Sequence, residues 1–151
     1  MNVAALCRRE VVTIGAGQEL IDAAQLMRSG HVGFLVVVEA VGDSSDLKVV
    51  GVLTDRDLVT AVLAKKADLT QFKVGDVMTR NPLLGSGSQS IATAVCLMRE
   101  AGVRRLPIVG ARGELVGVLS VDDVLDALAI QLTDIAAAIR SEQRLERLVR
   151  P

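Results

Sequence analysis

Two stretches of the chain place apolar residues at three- and four-residue spacing: Leu20, Ala23, Ala24 and Met27, then Ile91, Ala94, Val95 and Met98. That period predicts amphipathic helices over residues 18–29 and 89–101. Gly30 and Gly102 stand just past their ends, where a left-handed residue stops a helix with little strain. Each helix is preceded by a short apolar-then-extended segment, residues 10–14 and 82–84. Each is followed by two brief, β-branched runs bounded by turn residues: residues 34–38 and 49–53 in the first half, 106–109 and 115–119 in the second. Runs of this kind read as strands. A second helix is predicted to start at Asp55 and again at Val121. The order strand, helix, strand, strand, helix is thus written twice.

The duplication extends to individual residues. A shift of 71 superposes Val3 on Val74, Arg9 on Arg80, Leu20 on Ile91, and Leu26-Met27-Arg28 on Leu97-Met98-Arg99. Beyond Val38 the shift becomes 66, superposing Val50-Gly51-Val52-Leu53-Thr54 on Val116-Gly117-Val118-Leu119-Ser120. The five-residue difference falls in the polar stretch Gly42-Asp43-Ser44-Ser45-Asp46, which predicts a surface turn. The expected organisation is repeat 1 over residues 1–66, a linker over 67–73, repeat 2 over 74–130 and a helical extension over 131–151. A three-stranded sheet this small leaves one face bare after its own helices pack. The two copies are therefore expected to stack in a pseudo-twofold α+β sandwich, with two equivalent clefts between them.

Composition narrows the function. Half of the residues are apolar, yet only Phe34 and Phe72 are aromatic, so the core must be built from Val, Leu, Ile and Ala. Seventeen basic and eighteen acidic residues give a formal charge of −1. Neither phosphate neutralisation on duplex DNA nor base stacking on aromatic rings is expected from that balance. The longest apolar stretch, residues 32–38, is far too short to span a bilayer. The basic pair Arg8-Arg9 follows the apolar stretch at the N-terminus, the reverse of a signal peptide. A cytoplasmic protein with no membrane or nucleic-acid partner is the expectation. Cys7 and Cys96 lack metal-type spacing and read as small buried hydrophobes. His31, the lone histidine, sits in a turn with no nucleophile or metal partner suggested.

The residues with chemical content are Gly51-Val-Leu-Thr54-Asp-Arg56-Asp57 and Gly117-Val-Leu-Ser120-Val-Asp-Asp123. In each, a hydroxyl residue ends a strand and opens a helix, and an acid follows three positions later. One reading is a capping box, which closes the helix end and nothing more. The other is a ligand site: the hydroxyl and the free backbone N–H groups of the helix attract phosphate. Asp57 or Asp123 then accepts hydrogen bonds from vicinal hydroxyls of a ribose, and Arg56 adds a fork for phosphate oxygens. The two roles are compatible.

With the Leu-Met-Arg segments and Leu106-Pro107-Ile108-Val109, these motifs resemble a tandem pair of CBS (cystathionine-β-synthase) domains, a Bateman module, over about residues 3–130. The opening segments Val74-Gly-Asp-Val-Met78-Thr79 and Val3-Ala-Ala-Leu-Cys7 are similar to the family's too. The resemblance implies that Thr54, Asp57, Ser120 and Asp123 hold the ribose and phosphate end of a nucleotide. It also implies that adenine slips between apolar strand segments, here Val12-Thr13, Leu83-Leu84, Leu35-Val36 and Leu106-Pro107. Asp122 stands where the first copy has Arg56, and repels polyphosphate unless Arg80, Arg104 or Arg105 compensates. Unequal sites are expected, the Asp57 site being better suited to phosphate. The implied ligand is AMP, ADP or ATP, or the related NAD or S-adenosylmethionine. The implied role is regulatory and non-catalytic, with occupancy relayed to an effector protein of unknown identity. The alternative is a ligand-free assembly module. The C-terminal segment carries an apolar stripe of Ile135, Ala138, Ile139, Leu145 and Leu148-Val149 among mixed charges. It is expected to be helical and to pair with its counterpart in a homodimer.

Overall fold

In the computed structural model, residues 2–41, 46–64 and 68–149 are described. Most of the predicted surface turn, residues 42–45, lies outside them, as do residues 65–67, Arg150 and Pro151. The first repeat contributes β1 (Thr13–Gly15), α2 (Leu20–Ser29), β2 (Phe34–Ala40), β3 (Leu47–Thr54) and the helical turn α3 (Asp55–Asp57). It opens with a short helix, α1 (Val3–Leu6). The second repeat opens with α4 (Val74–Val77) and β4 (Thr79–Arg80), then runs β5 (Gly85–Ser86), α5 (Ile91–Ala101), β6 (Arg105–Val109), β7 (Leu115–Ser120) and α6 (Val121–Val149). The elements form an α+β fold of two sheets, ordered β1-β2-β3-β4 and β5-β6-β7. In both, the outer strand is parallel to its neighbour and the next pair is antiparallel. Both also carry a register shift at equivalent points, Val37/Val38 and Ile108/Val109.

Strand alternation decides what each sheet face meets. Leu35 and Val37 of β2 point into one core with Leu20, Ala23 and Met27 of α2. Leu106 and Ile108 of β6 point into a second core with Ala94 and Met98 of α5. The intervening positions Val36 and Val38, with Val49, meet Val109, Leu115 and Val118 in the seam between the sheets. The stacked sandwich expected from the sequence is the arrangement observed.

Its opening segments are exchanged, which the repeat pattern did not reveal. Val3 of α1 and Cys7 just past its end are buried in the second repeat's core, whereas Val74 of α4 and Met78 just past its end are buried in the first repeat's. The hydrogen bonds are reciprocal: Val3 and Ala4 N–H donate to the carbonyls of Gln89 and Gly87, and Val74 and Gly75 N–H donate to those of Gln18 and Ala16. Past each helix the chain lies against the other repeat's strand. Arg80 and Thr79 pair with Gly51 and Val52, so the first sheet has four strands rather than three. Arg8 pairs with Val118 through two backbone bonds of 2.9 Å. This crossing explains the glycine that opens both motifs. A Cβ on Gly117 would stand 2.6 Å from the Arg8 carbonyl oxygen, and one on Gly51 would stand 3.0 Å from that of Thr79.

Some local expectations change. The extended segment of the second copy comes at Gly85–Ser86 rather than at residues 82–84. Gly102 is left-handed at φ 65, but Gly30 is not; in the first copy His31 takes that conformation at φ 51. After α3 the helix widens into a π-helix over Leu58–Leu63, and a 3-10 turn, Leu69–Gln71, precedes α4. Cys7 is buried, but Cys96 is half-exposed, its thiol 3.4 Å from Glu100 Oε1. The C-terminal segment is helical as expected, and is continuous with the second repeat's last helix. Among the described residues no helix is long and apolar enough to cross a membrane.

Candidate functional site

Both predicted clefts are present, and each is built from both repeats. The first, about 480 Å³, lies between Thr54 and Asp57 at the opening of α3 and the start of β6, with Leu83 and Thr79 from the crossing segment. The second, about 260 Å³, lies between Ser120 and Asp123 at the opening of α6 and the start of β2, with Val12 and Arg8 from the other crossing segment. Residue for residue the linings correspond under the shifts found in the sequence: Thr79 with Arg8, Leu83 with Val12, Val103 with Val32. Gly33, Phe34 and Arg105 line both clefts. Phe34 and Arg105 are themselves equivalent positions, and the Arg105 guanidinium lies 5.8 Å from the Phe34 ring centre. They form the wall that the clefts share.

The capping-box reading is correct in both copies. Thr54 N–H and its hydroxyl both donate to Asp57 Oδ2 at 2.8 Å, and Asp57 N–H donates back to Thr54 Oγ1 at 3.2 Å. Ser120 and Asp123 repeat the arrangement, with a short hydroxyl-to-Oδ2 bond. This corrects the expectation that a free helix end awaits phosphate in the first cleft. Asp55 N–H donates to Gly33 O, Arg56 N–H to Asp55 Oδ1 and Asp57 N–H to Thr54 Oγ1. A hydrogen-bonding group already satisfied inside the protein gains little from a ligand. What remains available in the first cleft is side-chain chemistry. Asp57 Oδ1 has no protein partner among the described residues. Neither Arg56 nor Arg105 has a carboxylate partner there either.

The second cleft differs at that carboxylate. Arg8 Nε donates to Asp123 Oδ1 at 2.7 Å, so both oxygens of Asp123 are engaged. Burial pushes the Asp123 carboxyl up, but the hydrogen bonds from Ser120 and Arg8, with the Arg8 charge, outweigh it and hold it below the usual carboxylate range. Thr79, at the corresponding place in the first cleft, carries no charge. Arg8 was not among the sequence candidates, because its partner is 115 residues away and nothing local marks it. Arg104 donates to Asp122 at 3.1 Å, the compensation foreseen for that extra acid. Arg56, Arg104 and Arg105 outnumber Asp55 and Asp57 in the first cleft, whereas Glu10, Asp122 and Asp123 outnumber Arg8 and Arg105 in the second. The Asp57 cleft is the larger and the more cationic.

Among the remaining sequence candidates, Pro107 lines the first cleft, with Leu83 and Phe34 as apolar neighbours. Thr13 does not reach either cleft: it faces a separate depression with Arg9, Asp46 and Glu114. Arg80 points away, its guanidinium donating to the Gly75 carbonyl at 2.6 Å. Leu35 and Leu106 are wholly buried in the two cores, Val36 lies in the seam and Leu84 is exposed. His31 lines the second cleft, beside Val32.

The CBS domain profile matches residues 3–64 and 74–130, both repeats. The CBS domain-containing protein YhcV of Bacillus subtilis is 36% identical over 115 residues, 76% of each chain. Uncharacterized protein MK0525 of Methanopyrus kandleri is 29% identical over 125 residues, and this chain spans 61% of its length. In fold, the chain matches the crystal structure of CBSX2 in complex with AMP, with a TM-score of 0.72 and 30% identity, over 87% of this chain and 98% of that one. Two repeats in register, the exchanged opening segments and these matches lead to one conclusion: the chain belongs to the CBS domain family, as a tandem pair of CBS domains.

Proposed function

We propose that this CBS pair is a regulatory module that binds an adenine nucleotide in the Asp57 cleft and relays its occupancy to an effector protein. The observation that carries the reading is the uncommitted chemistry of that cleft. Asp57 Oδ1 supplies an unused carboxylate oxygen, suited to vicinal ribose hydroxyls. Arg56 and Arg105 supply guanidiniums suited to phosphate. Phe34, Leu83, Val103 and Pro107 give an apolar wall for a planar base. The volume of about 480 Å³ also falls within the ordinary range for small-molecule sites, roughly 300–1,000 Å³. AMP bound to the similar CBSX2 supports the ligand class. ADP, ATP, NAD and S-adenosylmethionine share the adenosine portion and are the competing ligands.

The construction of the cleft supports the relay. Its walls come from both repeats and a crossing segment, so a ligand that prefers one spacing of the repeats shifts the population toward it, in proportion to its difference in affinity between states. The proposed role is regulatory rather than catalytic, and the reading places the protein in the cytoplasm. The second reading, an assembly module, is favoured by the exposed apolar residues of α6, and homodimerisation is proposed alongside ligand binding.

A thermal-shift panel of AMP, ADP, ATP, NAD and S-adenosylmethionine tests the proposal. A ligand at a hundred times its Kd stabilises by about 2.7 kcal/mol. For a chain of this size that raises Tm by roughly 5–11 °C. The shift is expected for at least one of these compounds, and is expected to fall by about half or more in Asp57→Ala at the same ligand concentration. No shift with any of them would leave the assembly reading alone.

A further inference from the structure

Helix α6 runs 29 residues, from Val121 to Val149, and beyond Gln131 it is exposed nearly all round. Leu125, Leu128, Leu132, Ile135 and Ile139 alternate at spacings of three and four, the heptad spacing that keeps one stripe facing a partner helix. Each of these five is between 45% and 67% exposed, so the described residues leave the stripe largely uncovered. Charge divides the same helix. Asp122, Asp123, Asp126 and Asp134 occupy its first half with no basic residue among them, and every basic residue comes later: Arg140, Arg144 and Arg147.

We propose that α6 of one copy pairs antiparallel with α6 of a second copy along this stripe. The inference deepens the self-association proposed above and rests on it. Placing Leu132 level with the partner's Ile135 sets Ile139 level with the partner's Leu128, so the four central seam residues of each helix meet their like. Asp126 then lies within one residue of the level of the partner's Arg140, on the same flank of the seam, and the symmetric pair recurs at the other end. Parallel pairing would instead set Glu142 and Glu146, which continue the seam spacing after Ile139, each against its own counterpart, a repulsion between like charges in the seam itself. The residues closest beside the central seam, Ala129, Gln131, Ala136 and Ala138, are uncharged. Orientation therefore falls to the charges, and the wholly acidic first half of each helix faces the second half of the other, where Arg140, Arg144 and Arg147 outnumber Glu142 and Glu146. The helix dipoles also oppose one another favourably in this orientation.

Sedimentation velocity of the full chain over a wide concentration range tests this, with far-UV circular dichroism to show that each variant keeps its helix. The wild type is expected to be a dimer. Leu132→Asp, at a position already 67% exposed in the single chain, is expected to leave a folded monomer, and Leu132→Ala a weakened dimer. Asp126→Arg or Arg140→Asp alone is expected to weaken dimerisation roughly tenfold, and the two together to restore it. A monomeric wild type, or one that binds anionic phospholipid vesicles through this stripe instead, would remove the self-association reading altogether. A dimer indifferent to Leu132→Asp would keep self-association and overturn the seam. Loss at Leu132 without restoration by the double charge swap would overturn the antiparallel orientation.

Discussion

On the proposed reading Asp57 has two tasks through two different oxygens, and substitution separates them. Oδ2 receives the Thr54 N–H and hydroxyl at 2.8 Å and closes the helix start; Oδ1 is unused by the protein. Asp57→Ala removes both. Loss of a capping interaction costs about 1 kcal/mol, which for a chain of this length lowers Tm by ~2–4 °C. Asp57→Asn keeps an amide oxygen to accept from Thr54 but turns the other atom into a donor, which cannot accept from a ribose hydroxyl. It is expected to cost a few tenths of a kcal/mol in stability. Hydrogen bonds to a charged group contribute about 1.5–3 kcal/mol, so both variants should weaken nucleotide binding by ~10–150-fold. Urea denaturation of the free protein measures the first effect, and isothermal titration with AMP the second. The reasoning is refuted if Asp57→Asn binds AMP with the wild-type Kd, or if its stability falls as far as that of Asp57→Ala.

The exchange of opening segments predicts that Gly117→Ala is destabilising. The new Cβ must displace the Arg8 carbonyl, at a cost of about 1–3 kcal/mol offset by ~0.4–1 kcal/mol from a stiffer unfolded chain. Gly17→Ala, with nothing within 4 Å, should be neutral or stabilising in the same urea titration; equal effects would contradict the crossing. Arg8→Thr copies Thr79 into the second cleft and frees Asp123 Oδ1 while leaving the lining acidic, so titration calorimetry should find an additional site per chain for uncharged adenosine, and an unchanged stoichiometry would show that Arg8 is not what closes that cleft. The depressed Asp123 carboxyl predicts a pH effect of known sign. Its contribution is complete above the unfolded carboxylate range and is lost as pH falls through the lower folded value. Between about pH 7 and pH 3, then, the urea midpoint of Asp123→Asn should fall less than that of the wild type. Parallel curves would count against the Arg8–Asp123 pair.

The periodic parts of the fold were legible because their cause is local. Helix α2 and helix α5 write their buried faces at helical spacing, and β2 and β6 write theirs by alternation, so each element declares its own core side. The doubled motif was legible because Thr54–Asp57 and Ser120–Asp123 act within one turn. What was hidden depends on contacts across the chain. Helices of four residues, α1 and α4, are too short for a period, and their partners, such as Gln89 for Val3, lie in the other repeat. The same distance concealed Arg8. Thr13 was placed wrongly because its strand runs toward Asp46 and Glu114 rather than toward the helix openings, and Arg80 because a nearby carbonyl captured its guanidinium. The free helix end failed for a different reason: a chain that can satisfy its own amides does so, and which groups remain depends on how the whole chain folds.

The most direct measurement is a crystal structure of the chain grown with AMP. The account predicts the ribose hydroxyls within ~3 Å of Asp57 Oδ1, the phosphate beside Arg56 and Arg105, and the base against Leu83 and Pro107. AMP bound elsewhere, or a first cleft still empty at a saturating concentration, would contradict it.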